Sequence, residues 1–273
     1  MTFLPKLPAE WEDTRTTMHR YAQAVGVVPR VHAPPHPQWW HVSLKVRPTG
    51  LTTDPMPLPD GGSFHLRMDP RDHAVHLETS HGDARVFPMT EGRSGTRFGE
   101  GLLEAVAGLG LEGEYERDRF ESDDPGTYDP AAAETFWAAL VNVAAVFEEH
   151  NAAIEGDHGP VQLWPHGFDL ATEWFGDGEE SWTHGDQSGT SPWQINLGFY
   201  PGGDAYFYSN PWPFHGDEVT GHDLPHGARW VTDEFEGSKL PYADLAGDPD
   251  ARDKLGEYAM AVWEAASPTL TKD

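Results

Sequence analysis

No cysteine occurs among the 273 residues. That excludes disulfides, thiolate zinc sites and cysteine nucleophiles. Basic residues are scarce: 18 Lys+Arg stand against 45 Asp+Glu, a formal net charge of −27. A surface of that sign repels phosphate backbones, so nucleic acid is not an expected partner. The densest acidic patch, residues 112–126, has arginine mixed into it and reads as a solvated linker. No apolar run approaches the roughly 18 residues of a membrane helix, so no membrane span is expected. The opening MTFLPKLPAEWEDTRTT lacks the basic-then-apolar layout of a signal peptide, which points to a cytoplasmic protein. There is no GxSxG elbow, P-loop, HExxH pair or strand-borne GxGxxG. Serine hydrolase, nucleotide kinase and dinucleotide enzyme are therefore disfavoured.

What is present is periodic. Trp11, Thr14, Met18, Ala22 and Val25 form one helical stripe, and Phe98, Leu102, Val106 and Leu109 a second. Asp129-Pro130 supplies a cap and a first-turn proline for a helix over 130–150 carrying Phe136, Leu140, Val143 and Phe147. A fourth helix is expected to open at Asp248-Pro249, carrying Leu255, Tyr258, Val262 and Trp263. Between these lie alternating segments: WWHVSLKVR, FHLRMD, AVHLETS and ARVFPM, then, after the third helix, VQLWPHGFDLATEWF, WQINLGFY and AYFYSN. The reading is α+β: antiparallel sheet with amphipathic helices packed on one face. The order is compatible with one domain over 1–273, with pseudo-repeated halves at 1–125 and 126–273. Residues 48–62, 176–192 and 211–228 read as long loops.

Four motifs together resemble an uncharacterised bacterial family catalogued as a domain of unknown function. They are WWHVSLKVRPTGLTTDPMP (39–57), GPVQLWPHGFDLATEWFG (159–176), NLGFYPGGDAYFYSNPWP (196–213) and SKLPYADL (238–245). The resemblance runs in order over nearly the whole chain and implies one family-length domain with no assigned activity. Two departures stand out. The family tends to carry Asn-His where this chain has Pro37-Gln38, and Trp-Gly-x-Phe-Asp where it has Pro165-His166-Gly167-Phe168-Asp169. A role for His166 would then belong to this chain rather than to the family.

The Pro165-His166-Gly167 break is the main candidate for chemistry. In a regular strand, His166 and Asp169 would lie on opposite faces; a bulge shifts the parity and lets them meet. A histidine held by a carboxylate is a common general base, so His166 and Asp169 are the catalytic candidates. The alternative is a turn-capping aspartate beside a surface histidine. Trp164, Asn196, Tyr200, Tyr206 and Tyr208 are the ligand-binding candidates, because rings with a polar handle suit a neutral polar ligand. The alternative is that these aromatics fill core. His41, His65 and His76 share the polar parity of their strands, with Asp69 and Glu78; a metal there is left open. The expected function is thus small-molecule binding or hydrolase-like chemistry in a His/Asp/aromatic cleft, against a non-catalytic structural or interaction role. Substrate, cofactor and oligomeric state are not legible.

Overall fold

The computed structural model describes residues 2–185 and 187–272, and of His184 and Gln187 the backbone alone. It is α+β, and every described strand pairing is antiparallel. The chain forms two compact units. Residues 7–138 and 162–169 make one, here unit A; residues 1–6, 139–161 and 170–273 make the other, unit B.

Unit A begins with helix α1, Trp11–His32, whose stripe of Trp11, Met18, Ala22 and Val25 is buried as its spacing predicts. Strands β1 (Leu44–Arg47), β2 (Gly50–Thr52), β3 (Met56–Pro57), β4 (Ser63–Asp69), β5 (Ala74–Thr79) and β6 (Ala84–Pro88) follow, then helix α2 (Gly95–Ala107). The Ser94 side chain caps α2 by accepting from the Arg97 amide at 3.2 Å. With β7 (Gln162–Trp164), the strand order is β7-β1-β2-β4-β5-β6, and β3 pairs with β4. The core is aromatic: Trp11 stacks on Phe136 at 4.5 Å and Tyr21 on Phe98 at 4.1 Å.

One expected strand is shorter than its alternation suggested. Trp40–Val42 is a 3₁₀ turn, entered through a left-handed Trp39 (φ 62°), and the strand starts only at Leu44. The residues of polar parity do not face solvent either: His41, Ser43 and Lys45 are all buried. The turn makes the difference. Its Trp40 carbonyl and the Ser43 hydroxyl accept the Lys45 ammonium at 2.5 and 2.7 Å, which makes burying the lysine tolerable.

Helix α3, Pro130–Ala153, crosses from unit A into unit B along the chain. Its start follows from Asp129, whose carboxylate accepts the Ala131 amide at 2.8 Å. By length and composition it is apolar enough to cross a membrane, unlike the sequence-based expectation; 56% of that stretch is buried inside the protein. Unit B continues with β8 (Asp169–His184), β9 (Gln187–Tyr200), β10 (Tyr206–Trp212), the short helix α4 (Gly216–Val219), β11 (Arg229–Val231), β12 (Gly237–Pro241), α5 (Tyr242–Leu245) and α6 (Ala251–Ala266). The strand order is β11-β12-β10-β9-β8. Helix α6 starts two residues later than Asp248-Pro249 suggests, because the Asp248 carboxylate caps a preceding turn at the Asp250 amide, 2.8 Å away. Phe199, Phe207 and Tyr242 stack within 5.2–5.8 Å in the core of this unit.

The stretch 176–192, read as a loop, is the outer part of the β8/β9 hairpin. Its glycines misled the loop reading. Trp182 lies over Gly189, directly opposite it, and Trp193 over Gly178; a Cβ on either glycine would come within 2.8 and 2.5 Å of the indole. Aromatic rings over cross-strand glycines restore the packing a glycine lacks, so a Gly-rich strand holds its ladder.

Candidate functional site

The Pro165-His166-Gly167 break is a reversal of the chain rather than a bulge in one strand. Gly159 donates to the Glu173 carbonyl at 2.7 Å, and Phe168 to the Trp164 carbonyl at 2.8 Å. Residues 165–168 form a four-residue turn. Pro165 has no amide to offer a ladder, and Phe168 takes the left-handed conformation (φ 59°), which a bulky residue adopts only at a cost. Burial of the Phe168 ring against Phe136, 5.4 Å, and His19, 5.7 Å, holds it there. A Cβ on Gly167 would collide with the Asp169 carboxylate, so the glycine is what lets Asp169 fold back over the turn towards His166.

Helix α1 meets this turn along one face. His19, Gln23, Gly26 and Arg30 sit at i, i+4, i+7 and i+11, a single helical stripe. Gly26 makes the approach possible: a Cβ there would lie 2.7 Å from Pro165 Cβ. Two turns earlier, His19 donates from Nε2 to the His166 carbonyl at 3.0 Å. Burial, with Arg15 and Arg20 nearby, lowers the His19 pKa to about 4 although this hydrogen bond favours the charged form. The imidazole is thus a neutral donor near pH 7.

Gln23, Gly26, Arg30, Arg119, Pro165 and His166 enclose a small recess, with about 10 Å³ of space, enough for one water. Arg20 braces it by donating from Nη1 to the Arg119 carbonyl (3.0 Å) and to Gln23 Oε1 (3.3 Å). His166 stands at the rim, exposed, with its ring edge-on to Trp164 at 5.8 Å. Partial burial lowers its pKa, Asp169 opposes that, and Arg119 and Arg30 add to it. Because the ring reaches water, the shift is screened and the geometry matters more.

The predicted site residues divide between the units. Trp164, His166 and Asp169 belong to unit A; Asn196, Tyr200, Tyr206 and Tyr208 belong to unit B. Within unit B the tyrosines do meet. Tyr200 pairs across the ladder with Tyr206, 5.4 Å between rings, and Tyr206 meets Tyr208 at 6.1 Å. Asn196 lies opposite Asn210, two positions further along the same ladder. Tyr208 also covers Gly198, its direct cross-strand partner. In the first sheet, His65 pairs with Glu78 at 3.1 Å and His76 with Asp72 at 2.8 Å. Among the described residues, no three His, Asp or Glu side chains converge as metal ligands would.

A larger cleft in unit A escaped the sequence reading. It holds about 260 Å³ and is walled by α1, the loop entering α2 and the loop 122–127. Asp13, Thr17, Arg20, Arg93, Ser122 and Asp124 present its polar groups. The loops are tied together, since Gly92 donates to the Gly126 carbonyl at 2.7 Å and Thr96 to that of Ser122 at 3.1 Å. No motif marks this site; its residues come from three separate segments. For the recess the signal existed: the polar stripe His19, Gln23, Arg30 runs beside the apolar stripe of the same helix.

These features define an antiparallel α+β protein with a polar recess and a polar cleft in one unit. The chain belongs to a family of unknown function, DUF5996, whose model matches residues 4–273. The resemblance carried by the four motifs therefore extends over nearly the whole chain. No curated protein and no solved structure matches it.

Proposed function

We propose that the protein binds a small neutral polar molecule, and that the cleft of unit A receives it. One observation carries the reading. The cleft has about 260 Å³ of space, close to the lower end of the range for small-molecule sites, whereas the recess at His166 has room for about one water. Its lining suits the ligand class. Arg20 and Arg93 balance Asp13 and Asp124, and the Thr16, Thr17 and Ser122 hydroxyls can both donate and accept. A hydroxylated or zwitterionic molecule matches such a wall better than an apolar one. His166 and Asp169 are retained as a polar pair at the neighbouring turn, without an assigned reaction.

The test is a thermal-shift screen of polyols, sugars and amino acids, repeated on Thr16→Trp. Thr16 is exposed, so a tryptophan there fills the cleft without entering the core. Binding in the cleft predicts a stabilising compound whose effect disappears in the variant. A screen without a stabilising compound, or an effect that survives the substitution, overturns the proposal.

A second reading, a non-catalytic structural or interaction protein, draws support from the aromatics. Trp182, Trp193 and Tyr208 each cover a glycine in the β8/β9/β10 ladder, which is reason enough for them to be large. A lowered melting temperature in Trp182→Ala, with the ligand response unchanged, would fit that role for the aromatics.

A further inference from the structure

Arg30 and Arg119 are crowded together in a strongly acidic chain. Their charges are close enough that Arg119, after burial, lowers the pKa of Arg30. They share a single carboxylate: Arg30 Nε lies 3.7 Å from Glu116 Oε2, and Arg119 Nε contacts the same oxygen more closely. Two guanidiniums on one carboxylate oxygen leave a net positive charge. That is unexpected where acids outnumber bases by 45 to 18.

The pair is also held in place. Trp39, exposed and left-handed, stands against Arg30, with the guanidinium carbon 5.2 Å from its ring centroid. Arg20 holds the Arg119 carbonyl. Arg20 likewise occupies Gln23 Oε1, which turns the Gln23 amide NH₂ into an available donor. Both arginines remain reachable, with 24% and 35% of their side chains exposed.

We propose that the recess between Arg30, Arg119, Gln23 and His166 is a docking point for an oxyanion, the phosphate or carboxylate group of a small molecule. The recess admits one water-sized atom, which is the size of a single anionic oxygen. The remaining oxygens stay outside, within reach of the guanidinium forks and the rim imidazole. Arginine suits this task because its planar fork matches carboxylate and phosphate geometry. The inference stands apart from the cleft: it concerns different side chains and a ligand of different charge.

The test titrates the full chain with inorganic phosphate and with succinate by calorimetry at low ionic strength, with sorbitol as the neutral control. Saturable binding of either anion is expected. Arg30→Gln and Arg119→Gln should each weaken it at least tenfold, while Arg229→Gln, an exposed arginine of unit B, and Thr16→Trp leave it unchanged. Arg30→Lys keeps the charge and loses the fork, so weaker binding with an unchanged melting temperature supports the site even if a glutamine variant fails to fold. Phosphate alone binding identifies a phosphate ligand, and succinate alone a carboxylate. Absence of saturable binding overturns the proposal, as does binding that persists in the double glutamine variant. No polyol response in the unsubstituted chain, with anion binding intact, would sink the cleft reading and spare this one.

Discussion

His19 Nε2 donates to the main-chain carbonyl of His166 across 3.0 Å, so helix α1 holds the turn by its backbone and not by the His166 ring. The two histidines should therefore respond differently to truncation. His19→Ala removes this hydrogen bond and the half-buried ring against Phe168, and should cost about 1–3 kcal/mol. His166→Ala keeps the carbonyl and removes an exposed ring, for about 0.5 kcal/mol or less. Urea unfolding of both variants checks this. Equal losses would mean that the His166 ring is a structural element.

Stability should fall on mild acidification. His19 and His150 both have folded pKa values near 4, chiefly through burial, against 6.5 ordinarily. Between about 6.5 and 4 the unfolded chain binds protons that the folded chain does not. Stability is therefore fully present above 6.5 and is lost as pH falls towards 4. Each histidine contributes a slope of up to about 1.4 kcal/mol per pH unit. Denaturant melts at pH 7, 6 and 5 measure it, and His19→Gln should remove about one proton's worth of the slope. The lowered carboxylates Asp69 and Glu78 act in the same direction at lower pH. A pH-independent stability across 7 to 5 would contradict the burial of these rings.

Gly26 sets two effects against each other. Alanine in the interior of α1 gains about 1 kcal/mol of helix propensity. Its Cβ would sit 2.7 and 2.8 Å from Pro165 Cβ and Cγ, atoms of a rigid, buried ring that cannot rotate away. Overpacking of this kind costs about 1–3 kcal/mol, so the contact wins and Gly26→Ala is expected to destabilise. Thermal melts decide the sign; a gain in stability would show that helix and turn do not pack as described.

The net charge of −27 predicts weak interaction with polyanions. The Arg30/Arg119 pair is too small a patch to reverse it, because tight duplex binding needs several phosphate contacts. A gel-shift titration with duplex DNA and with RNA should show no complex near physiological salt. A tight, salt-sensitive shift would mean that basic side chains are gathered on a face larger than this pair.

Much of the fold was legible because it rests on local rules. The helices announced themselves by spacing, and Asp129-Pro130 placed the start of α3 within a residue. Strand β4 follows its alternation closely and β5 does so in part, whereas β6 forms where expected but is exposed along most of its length. The site was less legible. His166 and Asp169 are near each other, but through a four-residue reversal, since Pro-x-Gly chemistry breaks a ladder without stating whether the chain continues or turns back. The tyrosines meet one another because they alternate on paired strands, and such pairing is readable once two strands are assumed to be neighbours.

Composition and periodicity by themselves determined the acidity, the absence of cysteine chemistry, the mixed α+β class and the buried stripe of each long helix, because these depend on residues a few positions apart. Tertiary structure alone decided that residues on both sides of the 176–192 stretch extend a hairpin, since Gly178 and Gly189 are each covered by a ring from the opposite strand. It also decided that Arg30 and Arg119, 89 positions apart in the chain, share one carboxylate beside the turn at His166. Charges so distant in sequence carry no local signal; only the packing of α1 against the turn, allowed by the missing side chain of Gly26, brings their chemistry to one place.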